Sequence, residues 1–139
     1  MRLARLNKRY TIQRLRKRGI TIEERVCNIL RRRGFFVYRH PYSFTPDIFA
    51  FKWRWLFLIE VKSVSGTDEF KPKEDQVHTI MSFAEFLSYV LGRFGIEVIP
   101  LLAVYFVDYG VFGVKPLSWK DNIVTVRDSY DRLPLFQLR

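Results

Sequence analysis

Residues 47–62, DIFAFKWRWLFLIEVK, hold two apolar runs around Lys52-Trp53-Arg54-Trp55, with an acid near each outer end. Runs of this length rich in Phe, Leu, Ile and Val read as strands, here 47–51 and 56–62. A hairpin centred on Trp53-Arg54 places Asp47 opposite Glu60. Directly opposed residues hold their Cβ atoms about 4.5–5.5 Å apart on one sheet face. Lys62 projects from the same face as Glu60. The turn is the weak point, because a two-residue turn favours Asn-Gly or Asp-Gly over Trp-Arg. A four-residue loop with the same centre keeps the pairing, whereas a bulge shifts it by one.

The neighbours of Glu60 at 56–59 and 61 are all apolar, and a carboxylate in such a strand is costly unless paired or metal-bound. Two opposed carboxylates suit a hard cation such as Mg²⁺. An ion there activates a water and screens the phosphate as a phosphodiester is cut. Lys62 is placed to orient or deprotonate that water. The plainer reading makes Asp47 a strand start and Glu60–Lys62 a sheet-edge salt bridge. It suits any one of the three residues better than it suits the set.

The chain is one domain of 139 residues, 48% hydrophobic, long enough to bury a core. No apolar run reaches the roughly 18 residues that span a membrane, and the basic N-terminus lacks the apolar region of a signal peptide. Cys27, alone within a helical pattern, reads as a core residue and fits a reducing, intracellular setting. The net charge of +10 is uneven: residues 1–40 hold thirteen Lys and Arg against Glu23 and Glu24, and residues 41–139 come to −1. That asymmetry points to a polyanion met by the N-terminal region, with a solubilising tail as the plainer alternative. Residues 1–18 form a basic arm, including Arg14, Arg16, Lys17 and Arg18, and residues 19–139 form the domain.

The first helix spans about 22–33. Thr21 with Glu24 is a capping-box signature, which gives Glu24 a structural role and leaves Glu23 free. Glu23 shares a helical face with Val26, Cys27 and Leu30, so it points toward the sheet as a second metal contact. Residues 35–39 read as a strand and 40–46 as a loop. Residues 63–72 read as a polar loop with solvated Asp68 and Glu69. A helix follows over 73–91, with Val77, Ile80, Met81, Ala84, Leu87 and Leu91 as its apolar stripe. Gln76, in its first turn, either reaches a scissile phosphate or is simply exposed. Strands follow at 98–107 and 111–115, joined by a hairpin at Asp108-Tyr109-Gly110. Residues 123–126 read as a short strand, and 133–139 as a tail docking on the body or on a partner chain. His40 and His78 have no ligand-like spacing.

This order resembles the PD-(D/E)XK nuclease superfamily and, more closely, the archaeal Holliday junction resolvases. The similarity lies in Gly19-Ile20-Thr21-Ile22-Glu23, Gly34-Phe35, Arg39, Ser43, Pro46-Asp47, Ile59-Glu60-Val61-Lys62, Glu74-Asp75-Gln76 and Pro100–Tyr105. It covers about residues 19–116 and implies a restriction-endonuclease-like α/β core, a central mixed β-sheet flanked by α-helices. It implies that Glu23, Asp47, Glu60 and the Val61 backbone carbonyl hold Mg²⁺, with Mn²⁺ as a substitute, and that Lys62 sits beside the attacking water. It implies that Arg39 and Ser43 contact the phosphate backbone near the cut, and that a homodimer opens four-way DNA junctions by paired nicks. Gln76, Arg14, Arg16, Lys17 and Arg18 complete the expected DNA contacts.

Two departures concern how DNA is held: His40-Pro41-Tyr42 replaces a small, glycine-containing stretch, and Trp53 and Trp55 occupy the hairpin turn. Trp55 reads as a packing residue, while Trp53 is left open. The expected activity is metal-dependent cutting of branched double-stranded DNA in the cytoplasm of an archaeal or virus-infected cell. The alternatives are a nuclease of this fold acting on other DNA (a nickase, a flap or end-processing enzyme, a restriction-type enzyme) and a non-catalytic nucleic-acid-binding protein.

Overall fold

The computed structural model describes residues 22–40 and 46–129. The basic arm 1–18, Thr21, Ser43 and the 133–139 tail lie outside the described residues. Residues 22–32 are helical (α1) and lead to β1 (Phe36–Arg39). Then come β2 (Ile48–Lys52), β3 (Trp55–Val64), β4 (Glu69–Phe70) and α2 (Glu74–Leu91). A 3-10 turn at Gly92–Phe94 precedes β5 (Glu97–Phe106), β6 (Val111–Pro116) and β7 (Val124–Thr125).

Five strands form one sheet in the order β1-β2-β3-β5-β6. Its first three strands are antiparallel neighbours, β3 and β5 run parallel, and β6 returns antiparallel. The parallel step needs a crossover, and α2 supplies it. The sheet is therefore mixed, as the sequence implies. Among the described residues, no helix is long and apolar enough to cross a membrane.

Strand alternation divides the core in two. On one face Ile22, Val26, Cys27 and Leu30 of α1 pack on Ile48, Ala50, Phe57, Ile59, Leu101 and Ala103. On the other, Val77 and Ile80 of α2 pack on Leu102, Val104 and Phe106. Each large apolar side chain buried this way contributes about 1.5–3 kcal/mol. Cys27 is buried as expected, and burial pushes its thiol pKa up.

The β2–β3 hairpin keeps the expected centre at Trp53-Arg54 and closes as a tight two-residue turn, with Lys52 paired to Trp55 and Trp53 at φ 56°. That left-handed conformation costs a non-glycine residue about 1–2 kcal/mol. Trp53 meets Trp55 edge-on at 5.2 Å, and Arg54 lies over its ring at 4.6 Å. Contacts of these kinds contribute about 0.5–1.5 and 0.5–1 kcal/mol, enough to offset the backbone cost. Trp55 is buried and Trp53 exposed.

The structure departs from the sequence reading at 63–72, read as a polar loop: β3 runs on to Val64, and Glu69–Phe70 form β4, which pairs with β7. The segment after β6 thus folds back over the α2 face, adding Leu117 and Val124 to that core. Gly113 marks the closest approach. A Cβ there would lie 2.9 Å from the Phe106 ring and from Val124, and would collide with the Thr125 carbonyl. Gly113→Ala is expected to lower stability by about 1–3 kcal/mol, measured by denaturant unfolding.

Candidate active site

The hairpin register decides where the acids go. Ile48 pairs with Ile59, so the next positions outward are Asp47 against Glu60 and Pro46 against Val61. His40 N–H donates to the Asp47 carbonyl at 2.9 Å. The Asp47 peptide group therefore faces β1, and those of Ile48 and Pro46 face β3. Pro46 and Val61 would be the next hydrogen-bonded pair, but proline has no N–H to donate. The ladder stops there. Val61 N–H instead donates to Asp47 Oδ2 at 2.9 Å. The Val61 carbonyl faces the same way and receives no bond from Pro46. The side chain of Asp47 thus turns into the space where the sheet opens.

Glu60 is 5% exposed, and Lys62 Nζ stands 3.6 Å from its Oε1. Both alternate to the α2 face, since Phe57, Ile59 and Val61 pack with α1. A buried carboxylate is tolerable only with a counter-charge, and the Lys62 ammonium provides one. Lys62 thus lies beside Glu60, and Asp47, one position beyond the last β2–β3 pair, bonds the intervening Val61 N–H.

Glu23 is not free. It lies on the α1 side, where Arg39 Nε donates to its Oε2 at 2.8 Å. Arg39 also approaches Glu24 Oε1 with its Nη1, at 3.5 Å. Glu24 therefore pairs with Arg39, and Thr21, its expected capping partner, lies outside the described residues. Burial, then the negative charge of Asp47, push the Glu23 pKa above its ordinary value near 4.5, against the pull of Arg39. Among the described residues, no three His, Cys, Asp or Glu side chains are grouped closely enough to hold a metal ion. Glu23 is thus held by Arg39 and lies within electrostatic range of Asp47.

Of the expected DNA contacts, Gln76 is half-buried in the first turn of α2, with its backbone N–H donating to Asp75 Oδ1 at 3.0 Å. Arg39 is engaged with the two glutamates. Arg14, Arg16, Lys17, Arg18 and Ser43 lie outside the described residues. The sequence reading missed the Arg39–Glu23 pair. The available signal was alternation along β1, which puts Arg39 on the same face as Val37, beneath α1.

A group whose pKa is raised on folding binds its proton more tightly in the folded state, so its ionisation costs stability above the folded value. Glu23→Gln removes that ionisation. In the metal-free protein, the stability of Glu23→Gln relative to wild type is expected to fall as pH drops from 7 toward 4.5. The change is below about 1 kcal/mol because the site is partly solvated. Paired denaturant titrations across that range measure it.

The archaeal Holliday junction resolvase (Hjc) family model matches residues 14–118. The chain is 33% identical over 126 residues to the crossover junction endodeoxyribonuclease Hje of Saccharolobus solfataricus, covering 86% of this chain and 87% of the relative. It is 32% identical over the same coverage to Hje of Saccharolobus islandicus. Among solved structures, it resembles Archaeoglobus fulgidus Hjc, a Holliday junction resolvase, with a TM-score of 0.56 and 22% identity, covering 77% of this chain and 81% of that one. That structural likeness establishes a shared fold.

Proposed function

Because the chain belongs to the archaeal Holliday junction resolvase family, we propose that it is a metal-dependent endonuclease that cuts four-way DNA junctions by paired nicks. The observation that carries this reading is the Asp47 carboxylate bound to Val61 N–H where the β2–β3 ladder ends, with the paired Glu60 and Lys62 on either side of Val61 in the strand. Two carboxylates and a backbone carbonyl are hard oxygen donors, the set that Mg²⁺ prefers and Mn²⁺ accepts. Asp47, Glu60 and Val61 O would hold the ion. When bound, it supplies charge neutralisation at the phosphate and a water of lowered pKa.

The chain's own residues do the rest. Asp47, held by Val61 N–H, keeps its carboxylate aimed at the gap rather than at solvent. Glu60 is fixed by burial within β3. Lys62, tethered to Glu60, orients the attacking water and places a positive charge where the phosphate oxygens gather charge in the transition state. The Lys- and Arg-rich stretch 1–18 grips the junction arms through their phosphates.

Paired nicks need two sites related by two-fold symmetry, and a second copy of the chain supplies the other. An exposed aromatic patch supports that partner. Phe36 and Tyr38 of β1 stand across from Phe51 and Phe49 of β2. The Phe49 ring meets Phe83 of α2 at 6.2 Å, and Phe86 lies one helical turn on. Phe36 is 77%, Tyr38 53% and Phe86 62% exposed. Exposed aromatic rings carry no charge and suit protein contact better than DNA, whose binding rests on Lys and Arg. Phe86→Asp is expected to convert dimer to monomer in sedimentation analysis.

The activity test uses two end-labelled substrates, a four-way junction and a linear duplex of equal length. Wild type with Mg²⁺ is expected to nick the junction symmetrically and spare the duplex. Glu60→Gln and chelation each abolish cutting while junction binding persists. Lys62→Ala slows it by roughly 10²–10⁴-fold, the span of a lost proton-transfer or orienting group. Equal cutting of both DNAs would remove the junction preference and keep the nuclease.

A further inference from the structure

Arg39 and Glu23 pair across the junction between β1 and α1, beside Asp47. The Glu23 oxygen that Arg39 holds at 2.8 Å is a carboxylate that a divalent cation would also take. The Arg39 guanidinium is in turn a preferred ligand for DNA phosphate, through paired N–H donors. One arginine is thus shared between an acid beside the catalytic cluster and the substrate's backbone. Among the described residues no three acids are grouped closely enough to hold a metal ion. Asp47 nonetheless acts electrostatically on Glu23, so the two carboxylates lie within range of each other.

We propose that Arg39 is a positioning residue that latches Glu23 in an ion pair in the free protein, occupying the carboxylate that a metal would otherwise take. A DNA phosphate releases the latch by taking the guanidinium. This rests on the metal-site reading given above and adds to it a coupling between substrate and metal. In the free protein Arg39 pairs with Glu23 and Glu24 and partly offsets the repulsion Glu23 feels from Asp47. When a phosphate draws Arg39 off, Glu23 is left beside Asp47 with its charge uncompensated, and a divalent cation becomes its best partner. Metal and DNA then each raise affinity for the other by the same factor, as linkage requires. The enzyme thereby completes its metal site only on a backbone held in place. That restricts cutting to bound DNA.

The test counts Mn²⁺ binding to the free protein by electron paramagnetic resonance, without DNA and independently of cleavage. Wild type, Arg39→Gln, Glu23→Gln, the double variant and Glu60→Gln are compared. Arg39→Gln is expected to bind Mn²⁺ about tenfold more tightly than wild type, within the usual range of coupling between sites. In the Glu23→Gln background the same substitution should change affinity by no more than about twofold, because the carboxylate it frees is gone. Arg39→Gln binding no tighter than wild type, or an equal gain in both backgrounds, would overturn the latch and leave the metal site standing. Mn²⁺ binding unaffected by Glu60→Gln would overturn the metal site and the latch with it. In a second readout, Ca²⁺ should tighten junction binding by wild type more than by Arg39→Gln. Equal tightening in the two would count against the exchange.

Discussion

The register of one hairpin governs the chemistry. Lys52 pairs with Trp55, and everything outward follows: Ile48 meets Ile59, and Asp47 and Glu60 come level. A slip of one residue would send Glu60 toward α1 and expose the apolar set that now packs there. Pro46 then ends the ladder, because it cannot donate to Val61. The gap so made is where the Asp47 carboxylate takes over a backbone N–H.

Charge is arranged around that gap on two sides of the sheet. Glu60 and Lys62 alternate to the α2 face, whereas Arg39 and Glu23 meet on the α1 side. Asp47 lies at the seam and acts on both, holding Val61 N–H and pressing electrostatically on Glu23. The two ion pairs differ in setting. Glu60 is buried and needs Lys62 as a counter-charge, while Glu23 and Arg39 are partly solvated and able to exchange partners. Exchange across a partly solvated pair costs little, which is why a latch belongs there and not at Glu60.

Much of this was legible from residues alone. The apolar stripe of α2, the buried Cys27 and the packing role of Trp55 all follow from periodicity and composition. So does the opposition of Asp47 and Glu60, because strand alternation and a hairpin centre leave little freedom. The turn type was not legible. Trp-Arg has poor local propensity, and the contacts that offset it, Trp53 on Trp55 and Arg54 over Trp53, exist only once the turn has closed. The β4–β7 pair was hidden for a related reason. Two-residue strands carry no period, and Glu69 and Phe70 meet Thr125 and Val124 only through the fold.

The sequence by itself determined the hairpin, the identity of the acids and lysine, and the amphipathic α2, since each rests on neighbours within a few residues. Tertiary structure decided which of those acids meet. Glu23 and Asp47 are far apart in the chain and approach only because α1 packs on the sheet, and Arg39 reaches Glu23 from a separate strand. Local patterning sets which face a side chain takes, but ion pairs form through space. Only the packed arrangement could show that Arg39 holds Glu23.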